Sequence, residues 1–298
     1  MTTATVETRG AGTKKTKSTT STVWRLARLN WLGGGAAWIW FIIVMLPIYW
    51  IVITSLKTQE NYFATNPLVP PSNPTLENYR LVLRSDFVQY FFNSLLVAIG
   101  VVILTTTFAL LAGTALSRFR FRGRTPVLFG ILLVQLLPSM LLIVPLYIEL
   151  KTFGLLNTKF GLIFIYTAFS LPFSTWLMKG FVDQIPVALE EASFIDGCTR
   201  FRSFVNVVLP LARPGIAAAG TFAFIYSWNE FLFALTFTST TAARTIPPGL
   251  ELFIGSENGV HWEAVTAGGV IAAIPILIGF LFAQRMLVSG LTAGAVKG

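Results

Sequence analysis

Glu190-Glu191-Ala192-Ser193-Phe194-Ile195-Asp196-Gly197, followed by Leu209-Pro210, is a short and mostly polar island between long apolar segments, and its reading places the rest of the chain. It reads as two small helices with a glycine between them. Pro186 fits the first turn of the first helix, where a missing N–H costs little, and Gly197 suits the left-handed position that stops it. Thr199 is the expected N-cap of a second helix running to Pro210. Where flanking segments cross a membrane, such a helix pair projects from one face of it. A projecting amphipathic helix is what a membrane subunit needs to dock on a soluble partner.

Working outward, the flanks are long enough to span. A bilayer core about 30 Å thick takes about 20 apolar residues at 1.5 Å each. Six stretches reach that length, near 36–56, 91–116, 126–148, 160–178, 216–238 and 264–284. Length rather than periodicity makes them helices, because all-apolar runs carry no period. The chain is 54% hydrophobic and 12% charged, which sets it apart from soluble domains with roughly 25% charged residues. The expected fold is an all-α membrane protein of about six transmembrane helices.

The net charge of +9 is a topology signal. One side collects the basic residues from Arg9 to Arg28, then Arg118 to Arg124, Lys179, Arg200, Arg202, Arg213, Arg285 and Lys297. The other has Lys57, Arg80, Arg84, Lys151, Lys159 and Arg244. Sixteen against six puts both termini and the Glu191 island in the cytoplasm, and accounts for the basic excess without nucleic acid. Arg118-Phe119-Arg120-Phe121-Arg122 alternates as a base-stacking surface would. It lies tight against the membrane, where Arg meets anionic headgroups and Phe the acyl boundary.

The segments divide as a basic tail (1–30), a first transmembrane helix (31–57), an external loop (58–90), a transmembrane domain (91–285) containing the cytoplasmic loop 183–213, and a C-terminal tail (286–298). Residues 1 to 23, rich in Thr, Ser and Lys, have too little apolar surface to fold and read as disordered. No apolar signal core lies near Met1, so a cleaved secretory signal is not expected. Lys17-Ser18 lacks the glycines of a phosphate loop, with Thr16 and Ala11 in their places. Pro67, Pro70, Pro71 and Pro74 give the external loop an ordered, extended path, either as a spacer or as a surface for an external partner.

Polar groups inside the spans are candidates for a pathway. Glu230, in Tyr226-Ser227-Trp228-Asn229-Glu230, costs several kcal/mol at mid-span unless it faces a polar interior. It and Asn229 either line a path or hydrogen-bond a neighbouring helix and hold the bundle together. Gln135 and Ser139 on the third span, and Ser170, Ser174 and Trp176 on the fourth, are of the types that bind uncharged polyols, as are Tyr226 and Trp228, although aromatics are plentiful in this chain and any one of them serves equally as a lipid-facing or packing residue. Pro47, Pro138, Pro145, Pro172 and Pro275 lie within spans, and the kinks they cause are common in transporters around a cavity and occur also in membrane proteins that transport nothing. One histidine (His261), one cysteine (Cys198) and no Gly-x-Ser-x-Gly elbow exclude the usual intramembrane enzymes and metal clusters.

With these residues in hand the chain resembles the permease subunits of ATP-binding-cassette importers, within the maltose-type group that takes up oligosaccharides. Their cytoplasmic signature is Glu-Ala-Ala, three residues, Gly, nine residues, an aliphatic, one residue, Leu-Pro. Here it reads Glu191-Ala192-Ser193, Gly197, Val207, Leu209-Pro210, with Ser for the second Ala and Val for the usual Ile. Thr75-Leu76-Glu77-Asn78-Tyr79, Asn93-Ser94-Leu95, Gly154-Leu155-Leu156-Asn157-Thr158, Trp228-Asn229-Glu230-Phe231 and the ending Gly290 to Gly298 are similar to the smaller, six-span member of the maltose-type pair. The resemblance implies the type I importer fold in a bacterial cytoplasmic membrane. It also implies a second, unlike permease, two cytoplasmic ATPase subunits that carry ATP and Mg, and an external solute-binding protein, with no catalytic residue or cofactor on this chain.

In that setting Ala188, Ala192 and Ile195 form a small apolar face able to enter a groove on an ATPase, with Glu190, Glu191 and Asp196 meeting basic residues at its rim. Ser193 belongs to the signature and Gly197 sets the turn. The expected cargo is a neutral oligosaccharide such as maltose, trehalose or another glucoside. Glycerol phosphate or a polyamine is the alternative within the same machine, although no Lys or Arg lies well inside a span to meet an anion. A channel or secondary carrier is the alternative outside it.

Overall fold

In a computed structural model, residues 20–64, 66–254 and 260–295 are described, all of them helical or in connections. Residues 1–19, most of the expected tail, lie outside this set. Two units are distinguished, residues 1–50 and 51–298. The first holds most of helix α1 (Thr20–Ser55), which includes Pro47 and begins within the segment expected to be disordered.

In the second unit, α2 (Gln59–Ala64) and α3 (Glu77–Arg84) occupy the expected external loop. Between them the prolines hold an irregular path without helix. Asn78 donates to the carbonyls of Ser55 (2.9 Å) and Lys57 (2.8 Å), and the Tyr79 and Ser55 hydroxyls lie 2.7 Å apart. Lys57, buried, donates from Nζ to the carbonyls of Asn66 and Pro67, both at 3.2 Å. These bonds latch the loop to the end of α1 and give Asn78-Tyr79 a structural role.

The core is built on α4 (Phe87–Arg118), α7 (Lys159–Asp183) and α11 (Arg213–Asn229). Glycine permits a close approach of α4 to α7 at Gly113. A Cβ at Gly113 would lie 2.9 Å from the backbone nitrogen of Lys179. Across the same interface the hydroxyls of Thr105 and Ser170 are 2.8 Å apart, both buried. Lys159 Nζ reaches Asn93 Oδ1 (3.4 Å) at one end, while Arg118 reaches the Ile185 carbonyl (2.9 Å) at the other, so α4 and α7 run in the same direction. Asn93 also donates to the carbonyls of Thr241 (2.9 Å) and Arg244 (2.8 Å), which places the residues after α11 at the Lys159 end and makes α11 antiparallel.

Among the described residues four helices are long and apolar enough to cross a bilayer unbroken, namely Gly34–Ser55, Phe87–Arg118, Lys159–Asp183 and Trp262–Leu281. A bent pair, Arg200–Leu211 with Arg213–Asn229 at 70°, counts as a fifth if it is one broken span. The expected span at 126–148 is not one helix. It divides into α5 (Arg124–Val134), a 3-10 turn (Ser139–Leu142) and α6 (Ile143–Thr152). Pro138 has no N–H to give and biases Leu137 out of the helical region, so the break falls there. Pro145 sits in the first turn of α6, where it is tolerated.

The expected span at 216–238 also breaks, between α11 and α12 (Leu232–Phe237) at Glu230. After α13 (Ile246–Glu251), α14 (Trp262–Ala295) continues through most of the expected C-terminal tail, since nothing in Met286-Leu287-Val288 stops a helix.

Candidate functional site

The polar island folds as two short helices. Helix α8 (Val187–Ile195) starts one residue later than expected, with Pro186 at the N-cap (φ −58°, ψ 127°). It stops as a Schellman turn, in which the Gly197 N–H bonds the Phe194 carbonyl (3.0 Å) and the Cys198 N–H bonds the Ser193 carbonyl (2.9 Å). Gly197 has φ +83°, with no atom within 4 Å of where a Cβ would stand, so only the backbone requires glycine. The Thr199 hydroxyl accepts from the Arg202 N–H (3.3 Å), capping α9 (Arg200–Ser203) as expected. The chain then runs through a π turn (Phe204–Val208) and α10 (Leu209–Leu211) rather than one regular helix to Pro210.

The site residues on α8 separate into two sets. Ala188, Glu191, Ala192, Ile195, Asp196 and Gly197 are exposed, Ile195 at 87%. Positions 188, 191, 192 and 195 share one face at helical spacing. Glu190 and Ser193 point elsewhere. Glu190 is ion-paired to Arg118 at 2.5 Å, with side chains only 14% and 13% exposed. Ser193 is buried, its Oγ 2.7 Å from that of Ser203 and donating to the Glu190 carbonyl at 2.7 Å. The expectation that Glu190 meets a partner's basic residues is therefore corrected, because this chain supplies that basic residue itself.

Arg118 also donates to the Ile185 carbonyl (2.9 Å) and the Ser117 hydroxyl (3.1 Å), while Ser117 donates to Asp183 (2.6 Å). In the sequence Arg118 reads as a topology signal and a headgroup contact, not as half of an ion pair. Its partner lies 72 residues away and leaves no local signal.

In the span region, Glu230 ends α11 with extended backbone (φ −69°, ψ 125°). Its carboxylate accepts the N–H groups of Phe233 (2.8 Å) and Ala234 (3.1 Å) at the start of α12, and the hydroxyl of the buried Tyr166 (2.6 Å). The charge thus replaces helix hydrogen bonds lost at the break. Tyr166 was not identified from sequence, since an aromatic residue in an apolar span is unremarkable there.

Trp228 is buried too. Its indole N–H donates to the Ala272 carbonyl on α14 (3.1 Å), and its ring stacks on Phe224 (5.3 Å). That packing removes Trp228 from the candidate path lining, and the bond between Thr105 and Ser170 does the same for Ser170.

Three expected path residues keep surface. Asn229 is exposed and donates to the Ile225 carbonyl (2.8 Å). Gln135, exposed in the break before Pro138, donates to the Phe169 carbonyl (3.0 Å). Tyr226 is half-buried, edge-on to Tyr166 (6.2 Å) and beside Phe222 (6.4 Å), which packs on Phe173 (4.4 Å) next to Trp176 (6.2 Å). Among the described residues no group of three or more His, Cys, Asp or Glu could hold a metal ion.

This architecture is that of a multi-pass ABC importer permease. Residues 105–292 match the family of binding-protein-dependent transport system inner membrane components, and the chain belongs to that family as its non-catalytic membrane subunit. It is 37% identical to the diacetylchitobiose uptake system permease DasC of Streptomyces coelicolor, covering 87% of this chain and 94% of that one. It is also 37% identical to the trehalose/maltose transport system permease MalG of Thermococcus litoralis, over 86% and 93%, and 39% identical to the sulfoquinovosyl glycerol permease SmoH of Agrobacterium fabrum, over 85% and 89%. Among solved structures, a bacterial ABC transporter importing the acidic polysaccharide alginate has the same fold, with TM-score 0.73 at 22% identity, covering 91% of this chain and 99% of that one.

Proposed function

We propose that the chain is one of two unlike permeases of an ATP-driven importer of a neutral oligosaccharide, with both termini and the loop 183–213 in the cytoplasm. The observation that carries this reading is the exposed face of α8 at Ala188, Glu191, Ala192 and Ile195, presented on a helix whose own chain fixes its other side through Glu190 and Ser193. Such a face fits a groove on a cytoplasmic ATPase subunit, with Glu191 and Asp196 at its rim. Permeases named for diacetylchitobiose, trehalose/maltose and sulfoquinovosyl glycerol, all glycosides, support a sugar cargo. The absence of Lys and Arg from the middle of the spans favours an uncharged one.

In this mechanism, closure of the ATPase pair on ATP and Mg draws the docked helices together and turns the pathway outward, where the binding protein delivers its sugar. Hydrolysis resets it. Force entering at α8 passes to α4 through Glu190 and Arg118. Tyr226, Asn229 and Gln135 line this subunit's part of the path, and Glu230 holds the α11–α12 break that shapes it.

Purification of the tagged chain from mild detergent tests the reading. A second permease and an ATPase dimer should come with it, with hydrolysis stimulated by one sugar-loaded binding protein. A chain that purifies alone and moves solute without ATP would overturn it.

A further inference from the structure

Beside the coupling loop, a cavity of about 650 Å³ opens between the last turns of α4 and the helices α8 and α9. Its walls are mostly apolar, with Leu111 and Ala115 from α4 and Val187, Phe194, Phe204 and Val208 from the loop, and Thr114 as the polar exception. Its rim carries Arg118, Arg120 and Arg200 and a single acid, Glu190. Arg118 and Glu190 neutralise each other, and among the described residues neither Arg120 nor Arg200 has a carboxylate partner. Arg200 instead lies over the ring of Phe119, 5.9 Å from its centre. The rim aromatics Phe119 and Phe201 are 48% and 76% exposed. The site thus has an apolar floor with two cations above it that no carboxylate neutralises.

We infer that this groove seats an anionic phospholipid of the cytoplasmic leaflet, its phosphate between Arg120 and Arg200 and an acyl chain along Leu111, Phe194 and Phe204. The inference rests on the proposed orientation, with this end of α4 at the cytoplasmic surface. Leu111 precedes Arg118 by two turns of the spanning helix, which places the floor of the groove roughly 10 Å deeper than its rim. An apolar floor toward the hydrocarbon and a cationic rim at headgroup level are what an anionic lipid matches, and basic pockets at the cytoplasmic ends of helices bind such headgroups.

The chain's own N-terminal segment does not complement the site. Within residues 1–30 it has six Lys and Arg and the single acid Glu7. Nor does the lipid compete with ATPase docking, because the groove takes Val187, Glu190 and Phe194, one face of α8, while Ala188, Glu191, Ala192 and Ile195 form another. A phosphate held by both Arg120, after α4, and Arg200, on α9, ties the coupling loop to the membrane-spanning core. Anionic lipid then becomes a requirement for tight coupling.

The test uses the assembled transporter, purified with its partner subunits. Phosphatidylglycerol and phosphatidylcholine with identical acyl chains are titrated in, and retained lipid is read by native mass spectrometry. One phosphatidylglycerol per copy of this chain should persist, with phosphatidylcholine and soluble glycerol phosphate unable to displace it. Arg120→Gln with Arg200→Gln should weaken retention about 30-fold, at about 1 kcal/mol for each basic residue. The double Lys variant should restore most of it, and Arg122→Gln, outside the groove, should change it less than twofold.

Equal retention by wild type and the double Gln variant would overturn the assignment. So would displacement by glycerol phosphate, or a partner-subunit peptide cross-linked into the groove of a wild type that retains no lipid. Stimulation of ATPase activity by the loaded binding protein, measured on the same preparations, reports separately on the importer reading.

Discussion

Glu190 and Glu191 are adjacent and chemically identical, yet the structure pairs the first and exposes the second, and on the proposed docking role replacing each by alanine should separate them. Glu190 pairs with Arg118 where both side chains are about one-seventh exposed, far from the surface regime in which ion pairs contribute about 0–1 kcal/mol. Charged hydrogen bonds contribute about 1.5–3 kcal/mol, and breaking a fully buried pair costs about 3–5 kcal/mol, so Glu190→Ala should cost about 2 to 3 kcal/mol. That energy holds α8 against α4, and its loss should raise the population with α8 undocked about 30- to 150-fold.

Arg118→Ala should cost more, because it also strips the Ile185 carbonyl of its donor and leaves the Glu190 charge without a partner. Glu191→Ala, at an exposed position, should change local stability by less than about 0.5 kcal/mol while weakening ATPase docking. Hydrogen exchange of the α8 amides in the assembled complex measures the first effect, and sugar taken up per ATP hydrolysed measures the second. Matching exchange rates in the two glutamate variants would refute the reasoning, as would a double-mutant coupling energy between Arg118 and Glu190 below about 0.5 kcal/mol.

Gly197 and Gly113 separate backbone demand from packing demand. Gly197→Ala meets no atom and should cost only the left-handed conformation, about 1–2 kcal/mol, with Gly197→Asn milder and Gly197→Val worst in uptake per ATP. Gly113→Ala would press a methyl against the Lys179 backbone at 2.9 Å and should destabilise the purified complex by about 1–3 kcal/mol, seen as a lower Tm. Glu230→Ala removes the cap of α12, about 0.5–2 kcal/mol, and leaves the buried Tyr166 hydroxyl unpaired, at about 1–3 kcal/mol, so thermal unfolding should shift clearly. Tyr166→Phe removes one charged hydrogen bond, about 1.5–3 kcal/mol, and should lower Tm less than Glu230→Ala while leaving uptake per folded complex little changed; uptake lost beyond the Tm effect would move Tyr166 from support into the pathway.

What the sequence made legible was local chemistry. Gly197 as the left-handed stop and Thr199 as a cap act on the backbone next to them and stand where that chemistry requires, whereas Pro138, expected to kink one span, interrupts it. The break at Glu230 has no such mark, since Tyr226-Ser227-Trp228-Asn229 contains neither glycine nor proline. It exists because a carboxylate and a tyrosine from another helix make the interruption affordable. Asn78, Asn93 and Asn157 stand out as unusual residues, but their work as latches depends on carbonyls and amides brought in by folding.

The same limit applied to the pathway. A polar side chain in a span is kept from lipid whether it binds a helix or a solute, so depth and polarity alone could not separate Trp228 and Ser170 from Asn229 and Gln135. Unspent hydrogen-bonding capacity does separate them. Trp228 uses its only donor on Ala272 and is buried, and Ser170 is shared between Thr105 and its own helix. Asn229 and Gln135 each spend one donor, stay exposed, and among the described residues keep a side-chain carbonyl with no partner. A solute that both donates and accepts hydrogen bonds, as a sugar hydroxyl does, is complementary to those two amides and not to the satisfied core behind them.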